Sequence, residues 1–260
     1  AAIDECVRNI VCVGGDPSRI AILDNFCWPG VKDEESLGRL VRCSHGCYDA
    51  AKAYKTPFIS GKDSLNNQFT TESGETICIP PTLLISGFGM IDDITTCVTM
   101  DAKSSENVLL LVGETTSAMG GSHVLLIEPN TACDTSLPTV SLVDGPRNAS
   151  IIYQAIQKGL VKSAHDCSEG GVLVAVSEMA FGGRLGVDLQ FENESLCFSE
   201  TPSRYVLEVD PTQLEQLTEH LGDVHHEVIG TLNTTSNVTL GKASWSIEEL
   251  RQAWSGGMVI

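Results

Sequence analysis

Ile3, Cys6, Val7, Ile10 and Val11 recur at spacings of three and four, which predicts a helix with one apolar face, and Gly14-Gly15 ends it. The short apolar stretch "RIAILDNF" predicts a strand that ends at Asp24. A helical pattern opens at Asp33, with Glu34 and Glu35 at the end of the helix dipole that favours anions, and stops at Tyr54, before Pro57. "PFIS" predicts a buried strand, "GKDSLNN" a polar loop behind it, and "TLLISGFGMI" a further strand. The stretch from Asp92 to Asn107 is polar and irregular, as a linker would be. Beyond it come a strand "NVLLLVG", an amphipathic helix "RNASIIYQAIQKGLV" and an apolar helix "GGVLVAVSEMAFGG" bracketed by glycines. "RYVLEVD" and "HHEVIGTL" read as strands around the helix "PTQLEQLTEHLG", and "SIEELRQAW" is a last helix. Strands alternate with helices throughout, which predicts two α/β domains, residues 1–105 and 106–260.

Charge narrows the partners. With 16 Lys+Arg against 34 Asp+Glu, the net charge of −18 argues against nucleic acid and anionic membranes, which reward basic clusters. No apolar run reaches the ~20 residues that span a bilayer, and the start lacks the basic and apolar regions of a signal peptide, so a soluble, cytoplasmic protein is expected. The first residue is not methionine and already reads as helix interior, which suggests a piece of something longer. The 10 cysteines are scattered, without paired C-x-x-C knuckles, and "CSHGC" (Cys43, His45, Cys47) lies inside a helical pattern. Reduced, mostly buried thiols are therefore expected.

Candidate chemistry gathers at a few places. Glu5 and Asn9, four apart, set a carboxylate and an amide on one helix face beside the apolar stripe, where a solvated face would look the same. In "SAHDCSEGG", His165, Asp166, Ser168 and Glu169 sit on a turn between a strand and a helix opened by Gly170-Gly171. That arrangement suits phosphate plus metal, although a helix cap explains one such residue. In "FISGKDSLNN", Gly61 permits close backbone approach to an anion beside Lys62 and Ser64, and an ordinary turn is the alternative. Asp24 caps a turn if it stands alone.

Taken together, "DECVRN", "LDNFCWPG", "SGKDSLNN" and "HDCSEGGVLVAVSEM", in this order and over the whole chain, resemble the second half of the phosphoribosylformylglycinamidine synthase family, within the aminoimidazole ribonucleotide synthetase-like superfamily. The resemblance implies an α/β (α+β) fold, with an N-terminal mixed-sheet domain and a ferredoxin-like C-terminal domain. It implies Mg²⁺ held by Glu5, Asn9 and Asp166, and ATP or ADP contacted by Ser168, Asp24 and Gly61. Ser64 would contact substrate. Some members carry a metal-binding asparagine where this chain has Lys62, which suits phosphate and not metal.

The implied reaction is the ATP-dependent conversion of formylglycinamide ribonucleotide and ammonia to the amidine, with ADP and phosphate released and a glutaminase subunit or domain supplying the ammonia. The family's acid/base histidines belong to its first half, so no catalytic residue is expected here; His165 is expected to be a hydrogen-bonded structural histidine, with orientation of the Asp166 loop as the functional alternative. The sheet face that would meet the first half is expected to drive a homodimer of this chain. Two other readings stay open: a superfamily member of small-molecule kinase type, or a non-catalytic half with a structural nucleotide.

Overall fold

The computed structural model describes residues 1–191 and 193–256. Helix α1 (Ala2–Cys12) buries Ile3, Val7 and Val11, the stripe seen in the sequence. Removing each such side chain from water is worth roughly 1.5–3 kcal/mol. Strand β1 (Ala21–Cys27) is followed by helix α2 (Glu34–Tyr54), whose first turn is capped by Asp33 accepting from the Ser36 N–H at 2.8 Å. Strand β2 (Phe58–Ser64) pairs parallel to β1. A small hairpin, β3 (Gln68–Thr70) and β4 (Thr76–Cys78), precedes β5 (Thr82–Phe88), which pairs antiparallel to β1 and completes a mixed sheet of order β2-β1-β5.

The rest of the chain builds a larger sheet. Its elements are β6 (Val108–Val112), the short helix α3 (His123–Ile127), α4 (Asp144–Gln157), β7 (Ser163–Asp166), α5 (Gly171–Gly183) and β8 (Gly186–Leu189). They continue with β9 (Tyr205–Val209), α6 (Leu214–Leu221), β10 (His226–Asn233), β11 (Asn237–Leu240), β12 (Ala243–Ser246) and α7 (Ile247–Gly256). The strand order is β12-β11-β8-β10-β6-β9-β7. Within it, β6-α4-β7 and β9-α6-β10 form four antiparallel strands ordered β10-β6-β9-β7, the ferredoxin-like arrangement expected. Both faces are covered, which is why β6 reads as an unbroken apolar run. Leu110 and Val112 face α1, α4 and α6, while Leu109 and Leu111 face α5.

Several expectations need correction. β1 does not end at Asp24 but runs to Cys27, and "GKDS" is not a loop: β2 continues through Ser64, paired from Asp24↔Gly61 to Cys27↔Ser64. Backbone pairing is indifferent to side-chain polarity on a face that nothing covers. For the same reason β2 is largely exposed instead of buried. The stretch expected as a linker is docked: the N–H groups of Lys103 and Ser104 and the Asn107 amide donate to the buried Glu208 carboxylate on β9, at 2.8, 3.0 and 2.7 Å. All ten cysteines are free, but only Cys12, Cys47, Cys167 and Cys197 are buried. Among the described residues, no helix is long and apolar enough to cross a membrane.

Candidate nucleotide site

Two elements remote in sequence meet at one cavity. α1 presents Glu5 and Asn9 one turn apart, and the turn after β7 presents Asp166, Ser168 and Glu169. That turn is tight because Gly170 and Gly171 adopt left-handed φ of +75° and +67°. A Cβ on Gly171 would also lie 2.3 Å from the Ser199 carbonyl oxygen. The cavity, about 200 Å³, is lined by Glu5, Asn9, Asp166, Ser168, Glu169, His165 and Glu178. A second one, about 390 Å³, shares Glu5, Ser168 and Glu169 and extends towards Gly120, Gly121 and His123.

The electrostatics of the cavity are those of clustered carboxylates. Burial, then the neighbouring Glu169 carboxylate, push the Glu5 carboxyl above its usual range, with Arg8 opposing and Asp166 and Asp4 adding. At Asp166, burial also favours the neutral acid, but hydrogen bonding to His165, the Arg8 guanidinium and the Ser168 hydroxyl outweigh it and hold the carboxyl below its ordinary value. His165 faces acceptors with both nitrogens: Nδ1 lies 2.8 Å from the Asp166 carbonyl oxygen, and Nε2 lies 2.8 Å from Glu178 Oε2. Burial lowers the imidazolium's pKa, the partners raise it more, and the balance is about 9. The ring thus ties the turn to α5.

The donor set can be tested against Mg²⁺, a hard ion that takes oxygen ligands and usually keeps waters and phosphate oxygens. Glu5 and Asn9 supply two oxygens. Arg8 and Ser168 both bond Oδ2 of Asp166, while Oδ1 faces only His165 Nδ1 at 3.5 Å. Oδ1 therefore remains for a cation, and the residues fit. Among the described residues no three His, Cys, Asp or Glu side chains are placed to hold a metal ion, so such a site draws on the Asn9 amide and on ligand oxygens.

Sequence reasoning missed the pair beneath this site. Asp4 and Arg8 look like a surface i,i+4 pair, yet they are 1% and 4% exposed. Arg8 Nε donates to Asp4 Oδ2 at 2.8 Å, and its Nη1 donates to Asp166 Oδ2 at 3.1 Å and to the Cys167 carbonyl at 2.6 Å. The available signal was angular. Positions 4 and 8 lie beside Ile3, Val7 and Val11 on the buried side of α1.

The remaining candidates lie on the smaller sheet, on opposite faces. Register places Asp24 and Gly61 towards the helices and Lys62 and Ser64 on the outer face. Gly61 does not open a path for a ligand here: a Cβ on it would lie 1.8 Å from Asp24 Oδ1, so its missing side chain makes room for the Asp24 carboxylate. Lys62 Nζ donates to Ser64 Oγ at 2.6 Å. The N-terminus of α5, read as a phosphate seat, already holds an anion, since Glu200 Oε1 accepts from the Gly170 N–H at 2.9 Å and from the His123 N–H at 2.8 Å.

Comparison with known proteins joins these observations. The model for AIR synthase related protein, N-terminal domain, matches residues 1–91, and that for the C-terminal domain matches residues 104–242. The chain belongs to the AIR synthase related family. It is 33% identical over 270 residues to phosphoribosylformylglycinamidine synthase subunit PurL of Alkaliphilus metalliredigens (strain QYMF), covering 99% of this chain and 35% of that protein. The PurL of Pelagibacter ubique (strain HTCC1062) is 33% identical over 256 residues, with 95% and 34% covered. The chain thus spans about a third of the length of these curated relatives. The AIR synthase related fold is shared with T. maritima PurL complexed with FGAR, at TM-score 0.70 and 16% identity over 95% of this chain and 42% of that one. It is shared also with E. coli HypE, a hydrogenase maturation protein, at TM-score 0.64 and 15% identity over 94% and 77%.

Proposed function

We propose that this chain is the second half of an ATP-dependent ligase of purine biosynthesis, a phosphoribosylformylglycinamidine synthase, and that it binds Mg²⁺ and ATP or ADP at the cavity between α1 and the turn after β7. The carrying observation is that Glu5 and Asn9 of α1 meet Asp166 and Ser168 at one cavity. The similarity to PurL subunits across 99% of the chain supports the ligase assignment. In this reading residues 1–105 are the N-terminal-type domain and 106–260 the C-terminal-type domain, in a cytoplasmic enzyme.

Glu5, Asn9 and Asp166 hold the cation, which neutralises phosphate charge, and Ser168 contacts the nucleotide. Lys62 is a phosphate contact and Ser64 a substrate contact on the outer sheet face, at a cleft that the first half completes, whereas Asp24 and Gly61, packed against each other on the helix side, lie outside that cleft. A glutaminase supplies ammonia. The groups that move protons at the amide carbon belong to the first half, so ground-state binding here leaves the transition state unsupported.

Calorimetry tests the site. ADP should bind more tightly with Mg²⁺ than in EDTA, and Asp166→Asn should weaken Mg-ADP binding more than Asn9→Ala does, since it removes charge from the divalent ion's partners. Equal affinity with and without Mg²⁺ overturns the metal assignment. The chain alone should make no amidine from ammonia, ATP and formylglycinamide ribonucleotide, and adding the first half in trans should restore turnover. Product from this chain alone overturns the division of labour.

A further inference from the structure

We infer that Arg8, held by Asp4, is the positioning residue that aims the Asp166 carboxylate into the nucleotide cavity, an inference that rests on the assignment of that cavity to Mg-nucleotide. Arg8 follows Glu5 by three positions and precedes Asn9, so the helix turn that supplies two cation ligands also supplies the clamp on the third. Its Nη1 bonds the Asp166 side chain at 3.1 Å and the Cys167 carbonyl at 2.6 Å, fixing the carboxylate and the peptide that follows it. Because Arg8 and the Ser168 hydroxyl both take Oδ2, Oδ1, which faces only His165 Nδ1 at 3.5 Å, is the oxygen left for a cation.

Arg8 is itself over-determined. Asp4 binds its Nε at 2.8 Å and is held in turn by the Tyr54 hydroxyl, the Ser203 N–H at 3.0 Å and the Ser203 hydroxyl at 2.5 Å. Three segments of chain therefore converge on Asp4, whose carboxylate accepts four donors. An ammonium cannot reproduce the arrangement, because it is a point charge on a flexible stem, whereas the planar guanidinium offers Nε to Asp4 and Nη1 to Asp166 and Cys167 from one rigid fork. Across 158 residues of sequence separation, Arg8 makes the ligands of α1 and of the β7 turn one rigid unit.

A role in folding alone and a role in positioning differ in what they do to metal linkage. The readout is the ratio of ADP affinity in Mg²⁺ to that in EDTA, measured by calorimetry on the 260-residue chain. Arg8→Lys should lower this ratio about tenfold, Asp166→Asn should lower it similarly, and the double variant should show little further loss, since neighbours that act through one another are not additive. The near-isosteric Asp4→Asn, which removes the charge opposite Arg8 and turns one of the oxygens that accept from Arg8, Tyr54 and Ser203 into a donor, should lower the ratio about threefold and serves where Arg8→Lys does not fold. Arg19→Ala, at an exposed pair with Asp92, is the control. The electron paramagnetic resonance spectrum of bound Mn²⁺-ADP should change in Arg8→Lys and not in Arg19→Ala. A lowered unfolding midpoint in Arg8→Lys and Asp4→Asn with the wild-type ratio retained overturns positioning and leaves the metal site standing. A ratio of one in the wild-type chain overturns both.

Discussion

At the α1–β7 junction, Asp4, Arg8 and Asp166 are almost closed off from solvent and each charge has a partner, whereas on the outer face of the β2-β1-β5 sheet Lys62 stands exposed on the same side as Leu84 and Phe88. The first region pairs its buried charges inside the chain, so its geometry is set without any ligand. The second leaves apolar side chains in water, at 57% exposure for Leu84 and 62% for Phe88. One region is closed by folding, and the other is left open to water.

The comparison is broken most severely by removing the buried cation. Arg8→Met leaves Asp4 and Asp166 buried without their counter-charge, and urea unfolding should show a loss of about 3–5 kcal/mol, the range for breaking a buried pair. Arg19→Ala should leave the midpoint unchanged. Equal effects of the two would mean that the junction is no tighter than the surface.

His165 gives the next largest effect. Its pKa in the folded chain is raised to about 9 from the ordinary 6.5, so its contribution to stability is fully present below pH 6.5 and is lost as pH rises through 9. In EDTA and without nucleotide, wild type should exceed His165→Gln by about 2 kcal/mol at pH 6, since each pKa unit corresponds to 1.36 kcal/mol before allowance for coupling to Asp166. The gap should close by pH 10. A gap constant from pH 6 to 10 would mean that the ring acts by shape alone.

Gly61→Ala has a smaller expected cost, about 1 kcal/mol, because the group displaced is the mobile end of Asp24. The same change in an Asp24→Ala background should cost less, and full additivity in the double variant would refute the contact. Leu84→Glu combined with Phe88→Lys should barely alter stability, because neither side chain is buried in the chain. By light scattering at tens of micromolar, the wild-type chain should be a dimer and the variant a monomer. A wild-type monomer would count against a face that needs covering.

Much of this molecule is legible in its residues. The stripe of α1, the Asp33 cap and 33–54 helical pattern, the two-sided apolar run of β6 and the glycine turn before α5 all follow from local periodicity and backbone preference. Glu5, Asn9, Asp166 and Ser168 were visible as oxygen-bearing side chains on a helix and a turn, but the resemblance to a known family, not their spacing, singled them out as a set. Local rules fail where the deciding neighbour is remote. Whether the Asp4–Arg8 pair is solvated or buried depends on Asp166, Tyr54 and Ser203, and whether "GKDS" is loop or strand depends on the register of β1. Periodicity records which face of an element is apolar. Only the assembled tertiary structure decides which polar groups are taken out of water, because that depends on what packs above them, and so it alone made a helix-surface pair into the clamp beneath the site.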